Sequence, residues 1–431
     1  FLTRYSVCCI CGSSAKMLYI KSFTEVRKKM SEVTCKNHGM TIPTYIPQKA
    51  HELPMFFENK PYQGASGRVY PIPYCDGISD NKTDVEYNVF TLENEYIKTV
   101  VAPELGGKIL RGYDKTSDYD FIYYNEVVKP ALVGLAGPWI SGGIEFNWPQ
   151  HHRPTTFMPL EAVCEENPDG GKTVWTGEVE PFGRMKGMAG ITLDKGRSYI
   201  KAKVRVYNRT SLPQLFMWWA NLAVPVNNNY RTVFPPDCEW VNDHDRRAVL
   251  EWPIAKGIYK TARPYNFGKG TDLSHYDAVK VPSSYLISQG QSDMDFISGY
   301  DTGLGKGIAT VANHHISPGK KMWHWGTGDF GDMWCSNLTD KNGPYIELMT
   351  GVYTDNQPDF TWIAPYETRE FEQYWYPVRE IGEIKNATID ACVNVEKRDN
   401  KLYVGFNVTG VFENCKIEVR DGQKTVYSEN T

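Results

Sequence analysis

The chain has 431 residues, a formal net charge of −4 and 41% hydrophobic residues. No stretch approaches the roughly 20 apolar residues that cross a bilayer, and the folded part has no basic run, so the composition argues against a membrane protein, a coiled coil, a disordered chain, and nucleic-acid or membrane partners. Phe, Trp and Tyr make up 13% of the chain, which suits β-structure and flat, polar-edged ligands such as sugar rings.

The first 30 residues differ in character from the rest. Six basic residues stand there against Glu25 alone, and Met30-Ser31 reads as a natural start. Residues 1–40 are therefore expected to be a leader, disordered or foreign to the mature fold. From there period-2 alternation dominates: two strands within 85–101, a clean one within 198–207, and shorter ones at 215–219, 283–288, 306–312, 344–350 and 368–376. No long 3.6-residue apolar stripe occurs. Many short strands with 37 Gly and 26 Pro predict an all-β chain, a large antiparallel sandwich over 41–380. A hinge near 377–382 then precedes residues 384–431, expected to be a truncated second β-sandwich domain with a hairpin turn at Asp421 and Gly422. The scattered Cys75, Cys164, Cys238, Cys335, Cys392 and Cys415 read as small buried hydrophobes in a cytoplasmic protein.

Three loops hold the chemistry. Residues 137–154 carry Trp139, Glu145, Asn147, Trp148, His151, His152 and Arg153; residues 313–325 carry His314, His315, Trp323 and Trp325; residues 343–359 carry Glu347, Asp355 and Asn356. Trp faces with amide, imidazole and carboxylate edges are what a sugar pocket needs. Glu145 lies between Ile144 and Phe146, and Glu347 between Ile346 and Leu348. An acid in such an apolar run is either paired structurally or functional. The Lys320-Lys321 pair after the Pro318-Gly319 turn reads as solvated. No metal or other cofactor is expected.

Residues 96–107 (YIKTVVAPELGG), 129–154, 208–226, 314–325 and 343–375 together resemble the bacterial domain of unknown function numbered 5107, over about residues 41–382. Members of that family often continue into tetratricopeptide repeats, and the family resembles a branch of the galactose-mutarotase-like (aldose 1-epimerase-like) superfamily. The resemblance implies a β-supersandwich with a sugar site on its concave face. The superfamily's C-terminal pattern maps onto residues 345–348 (YIEL) and 364–367 (APYE), which implies Glu347 as general base or nucleophile. The strand that bears an acid His in aldose 1-epimerases corresponds to Trp218, Trp219, Ala220 and Asn221, without His. His152 or His314 is then left to supply the acid.

The expectation is a protein acting at the anomeric centre of a mono- or oligosaccharide. Catalysis is assigned to Glu347, Glu145 and His152, and binding to Trp139, Asn147, Trp148, His151, Arg153, Asn221, His314, His315, Trp323, Trp325, Asp355 and Asn356. Two-carboxylate glycoside hydrolysis leads, and it requires Glu145 and Glu347 within about 12 Å of each other. Epimerase-type mutarotation and a non-catalytic carbohydrate-binding module remain open.

Overall fold

The computed structural model describes residues 32–57, 69–133, 137–149, 152, 158–243, 248–258, 266–287, 290–353 and 360–430 in full, and of 4–9, 18–22, 259 and 265 the backbone alone. Strands account for 54% of the chain and helix for 4%, so the fold is all-β. A twelve-stranded and an eight-stranded sheet pack face to face, with smaller sheets beside them.

Alternation sets which face each strand buries. In Ile200–Tyr207 of the eight-stranded sheet, Ile200, Ala202, Val204 and Val206 point into the core, while Lys201, Lys203 and Arg205 point outward. Five neighbouring strands of the twelve-stranded sheet matter most: β1 (Lys108–Asp114), β2 (Ile144–Asn147), β3 (Trp218–Pro225), β4 (Gly319–His324) and β5 (Tyr345–Val352). They lie side by side in the order β4-β5-β3-β2-β1. Ile109, Ile144, Phe146, Trp218, Ala220, Leu222, Val224, Met322, Ile346, Leu348 and Val352 enter the main core between the sheets. The opposite face of the same strands therefore presents Lys108, Glu145, Asn147, Trp219, Asn221, Ala223, Lys321, Trp323, Tyr345, Glu347 and Met349. β2 and β5 are buried along their whole length on both faces.

One helix was not anticipated. Helix α1 (Asp329–Leu338) carries Asp329 and Asp332 in its first turn, where they suit the helix dipole. Its Leu338 joins a cluster with Tyr123, Trp139, Ala223 and Tyr345, and Trp334 packs against that cluster. The helix thus braces the polar face from outside. Its ten residues and the internal Gly331 give too little pattern for a sequence reading.

The expected leader does not stay outside the fold. Thr34–Tyr45 pairs with Lys82–Glu93 along its full length, and Val33 enters the main core. Further upstream, the backbones of Arg4–Cys9 and Leu18–Ser22 pair in parallel with Lys416–Asp421 and Leu402–Phe406. Open strand edges of the small C-terminal sheets accept these segments. Within the expected hinge at 377–382, Pro377 still lies in the Thr368–Arg379 strand, opposite Ile308. The chain turns only at Glu380 and Gly382, both at positive φ. Lys416–Asp421 and Lys424–Asn430 form the expected hairpin, with Gly422 at φ 58°.

Gly143 fixes the entry to β2. Its φ is 66°, and a Cβ there would stand 2.0 Å from the carbonyl oxygen of Ile109. Its own backbone groups bond Tyr123 O and Ala223 N, each at 2.9 Å. Gly143→Ala is expected to destabilise the protein by about 2–4 kcal/mol through the strained φ and the clash with an immobile backbone. Urea unfolding should show a lower midpoint at unchanged m value; an unchanged midpoint would contradict this reading of β2.

Candidate functional site

Strand register brings the two acids onto one face. On β3, Asn221 is opposite Glu145 of β2, and Ala223 is opposite Glu347 of β5. β3 lies between them, so the acids are two strands apart, ~9.5 Å, and offset by two residues, ~7 Å. The backbone positions are thus about 12 Å apart, with both side chains on the same side of the sheet. Both are almost fully buried, at 3% exposure for Glu145 and 6% for Glu347.

Their surroundings differ. Glu145 Oε2 accepts the indole N–H of Trp139 at 3.1 Å and lies 3.2 Å from His152 Nδ1 and 3.4 Å from Asn221 Nδ2. Burial pushes its pKa up, but the charge and hydrogen bond of His152, the charge of Lys108 and the Trp139 indole together outweigh burial and hold it below the usual carboxylate value. Around Glu347 the described polar contacts are sparser, with Tyr345 Oη 3.5 Å from Oε1. Burial pushes Glu347 up to about 7; the charge of Glu145 adds to the rise, while His152, Lys108 and Lys321 oppose it. One acid is held ionised and its partner is protonated through much of the range below neutrality.

Two lysines complete the charge pattern. Lys108 donates to the carbonyl of Ile140 at 2.6 Å, and burial lowers its pKa to about 8 against the pull of Glu145 and Glu347. Lys321 lies with its Nζ 4.2 Å from the Trp219 ring centroid, and burial lowers it to about 7. The solvated reading of Lys320 and Lys321 is therefore corrected, since both are buried. Strand parity accounts for this: Lys321 shares a face with Trp323, and Lys320 shares the inner face with Met322.

Beside the acids, polar atoms remain unsatisfied. Both amide atoms of Asn147, Oδ1 of Asn221 and Nε1 of Trp219 are buried without a partner among the described residues. Asn147 is opposite Trp219 across the β2–β3 pair. Orphaned buried donors and acceptors are rare in folded proteins, and a group of them on one face marks where a polar ligand is accommodated. Trp139, Trp325 and Trp323 form an adjoining wall, with centroids 6.2 Å apart for the first pair and 5.3 Å for the second.

Other expected site residues lie elsewhere. Trp148 belongs to the core: it follows Ile144 and Phe146 in parity, and its ring fills the space that a Cβ on Gly187 would occupy. His314 is held by Asp295, Nδ1 to Oδ1 at 2.7 Å, beside the eight-stranded sheet rather than by either acid. His315 is exposed and packs against it in a tilted arrangement, with ring centroids 3.9 Å apart. His151, Arg153, Asp355 and Asn356 lie outside the described residues. Lys108 and Tyr345 were not among the expected site residues; the signal available was their place in alternating runs, on the same parity as Glu145 or Glu347. Among the described residues no group of three His, Cys, Asp or Glu side chains is arranged to hold a metal ion, and no helix is long and apolar enough to cross a membrane.

The chain belongs to the family described as a domain of unknown function, DUF5107, which matches residues 65–378. Residues 386–431 match the family described as YphG-like protein, second domain. Among solved structures, a tetratricopeptide-domain-containing protein from Parabacteroides distasonis is similar at 23% identity and a TM-score of 0.68 over 81% of this chain. The chain spans 56% of that protein's length. Galactose mutarotase-like proteins from Clostridium acetobutylicum and Lactobacillus casei are similar at 10% and 12% identity, over 68% and 67% of this chain and 96% and 99% of theirs, with TM-scores of 0.46 and 0.43.

The opposing charges around Glu347 give a signed test. Glu145→Gln removes a negative charge and should lower the pKa of Glu347, whereas Lys108→Met removes a positive one and should raise it. Infrared difference titration of the protonated carboxyl band, with Glu347→Gln as subtraction control, should place the wild-type midpoint near pH 7. Equal or same-direction shifts in the two variants would contradict the assigned neighbourhood.

Proposed function

We propose that this chain acts at the anomeric centre of a sugar or oligosaccharide by acid–base chemistry between Glu347 and Glu145, with glycoside hydrolysis as the reaction. The observation that carries the reading is the split protonation of two buried acids on one sheet face, beside the orphaned amides of Asn147 and Asn221. A protonated acid and an ionised one are the two partners that glycosidic cleavage requires. Glu347 gives its proton to the glycosidic oxygen as the C1–O bond breaks. Glu145 takes a proton from water as the water oxygen bonds to C1. His152 holds Glu145 in place and disperses its charge. Backbone positions about 12 Å apart, with both side chains on one face, leave room for a water between the carboxyl groups, which an inverting pair needs and a retaining pair at about 5–5.5 Å does not have. Asn147, Asn221 and the Trp219 indole bond the sugar hydroxyls, and the Trp139, Trp323 and Trp325 wall packs on the ring faces.

A second reading, interconversion of anomers, is favoured by the His152–Glu145 contact. In that case Glu145, relayed through His152, takes the O1 proton, and Glu347 protonates the ring oxygen. The buried thiols Cys75, Cys238 and Cys392 support action in a reducing cytoplasm.

The test is a panel of neutral glycosides followed by proton NMR, which reports both cleavage and the anomer first released. Glu347→Gln is expected to lower kcat/KM by about 10²–10⁴-fold with little change in KM, and wild-type kcat/KM should fall as pH rises through about 7, where Glu347 loses its proton. Anomer exchange without cleavage selects the second reading. Binding without either reaction, or an active Glu347→Gln, sinks the catalytic assignment.

A further inference from the structure

The short strand Gln214–Phe216 runs directly into β3, and alternation continues across the join. Phe216, Trp218, Ala220 and Leu222 enter the core, so Leu215, Met217, Trp219 and Asn221 share the face that carries the acid pair. Gln214–Phe216 pairs with Thr361–Ile363, placing Leu215 opposite Trp362. Phe216 and Ile363 are fully buried beneath, while Leu215 is 46% and Trp362 57% exposed.

The surface between the acids and this pair is aromatic. Met217, Trp219 and Met349 form one buried cluster, with Trp323, which faces Glu347 across the β4–β5 pair, and half-buried Phe360 packed over it. Trp323, Phe360 and Trp362 thus lead from the acid pair to the end of the sheet. Leu215 is six residues along the strand from Asn221 and eight from Ala223, a run of ~20–26 Å, far longer than one sugar ring.

The cation that contacts the platform, Arg369, is already engaged. Arg369 donates from Nη2 to the carbonyl of Trp362 at 2.9 Å and from Nε to Glu367 at 2.7 Å, and its guanidinium lies 4.5 Å from the Tyr353 ring centroid. An exposed indole on a fixed strand pair, with its neighbouring charge internally neutralised, suits an uncharged ligand that stacks.

We propose that the Leu215–Trp362 pair is a distal sugar platform, so that the substrate class is a neutral glycan of several units whose non-reacting end stacks on Trp362. This rests on the acid pair being a sugar site. Stacking of one ring on Trp362 should give about a tenfold gain in affinity for chains long enough to reach it.

The test is calorimetric titration of gluco-, xylo-, manno- and galacto-oligosaccharide ladders of one to six units against four proteins that all carry Glu347→Gln, so that no chain is cleaved during the titration: otherwise wild type, Trp362→Ala, Trp362→Phe and Leu215→Asn. Affinity in the otherwise wild-type protein should climb about tenfold from the shortest to the longest bound chains in at least one ladder. Trp362→Ala should flatten that climb, Leu215→Asn reduce it and Trp362→Phe largely keep it, with circular dichroism confirming intact folds. A ladder that binds but stays flat, or climbs equally in Trp362→Ala, removes the platform and leaves the sugar site standing. Absence of binding at every length removes the sugar reading and the platform with it. If sedimentation shows that wild type self-associates and Trp362→Ala does not, while the ladders are unaffected, the patch is an interface between copies of this chain and the proposal is overturned.

Discussion

Compensation of buried charge is the constraint on which the site depends. Glu145, Glu347, Lys108 and Lys321 all lie on one face of the twelve-stranded sheet with almost no access to solvent. Isolated ions in such a place would be prohibitively costly, so each must be paired, hydrogen-bonded or neutralised by a shifted pKa. The protein uses all three. Glu145 is paired and bonded, Glu347 is pushed toward its neutral form, and both lysines are lowered toward theirs. Two oppositely signed pairs of groups thereby share a low-dielectric face while only part of their formal charge is expressed.

That arrangement needs a support that does not yield, and the central strands supply it. β2, β3 and β5 turn Phe146, Leu222 and Leu348 to one face and Glu145, Asn221 and Glu347 to the other by alternation. A one-residue slip would exchange Glu145 with Ile144 or Phe146 and Glu347 with Ile346 or Leu348, putting charge into the main core. Register and charge placement are therefore the same constraint. Gly143 and Gly187 serve it locally, the first by letting β2 approach Ile109 and the second by leaving space for the Trp148 ring.

Much of this was legible in the sequence. Alternation marks Ile200–Tyr207 and the β5 run, and an acid flanked by aliphatic residues marks Glu145 and Glu347 as unusual. What sequence proximity cannot convey is which loop neighbours share a face. His314 precedes the Trp323 strand by only a few residues, yet its partner is Asp295. Trp148 is one residue from Asn147 and points the other way, into the core. Lys321 follows a Pro-Gly turn and looks solvated until its strand is seen to lie between other strands of a sheet. Lys108 follows two glycines that read as a turn, and its role depends on a strand more than thirty residues away.

The aromatic residues divide along the same line. Trp218, Trp375 and Phe146 fill the space between the sheets, and there ring size serves packing. Trp139, Trp219, Trp323 and Trp325 stand on the other face, and their indoles contribute both apolar area and donors, one already bound to Glu145. A pocket floor made of rings keeps water scarce around both acids and raises both, and the His152, Lys108 and Trp139 partners of Glu145 are what separate the two protonation states. An entirely aliphatic floor would exclude water equally well but would leave Glu145 without the Trp139 hydrogen bond that helps keep it ionised. Trp219, with its ring against Lys321 and its own N–H unpartnered among the described residues, links the charge balance to the polar groups beside it. The high aromatic content is therefore a requirement of the buried charges as much as of any ring-shaped ligand.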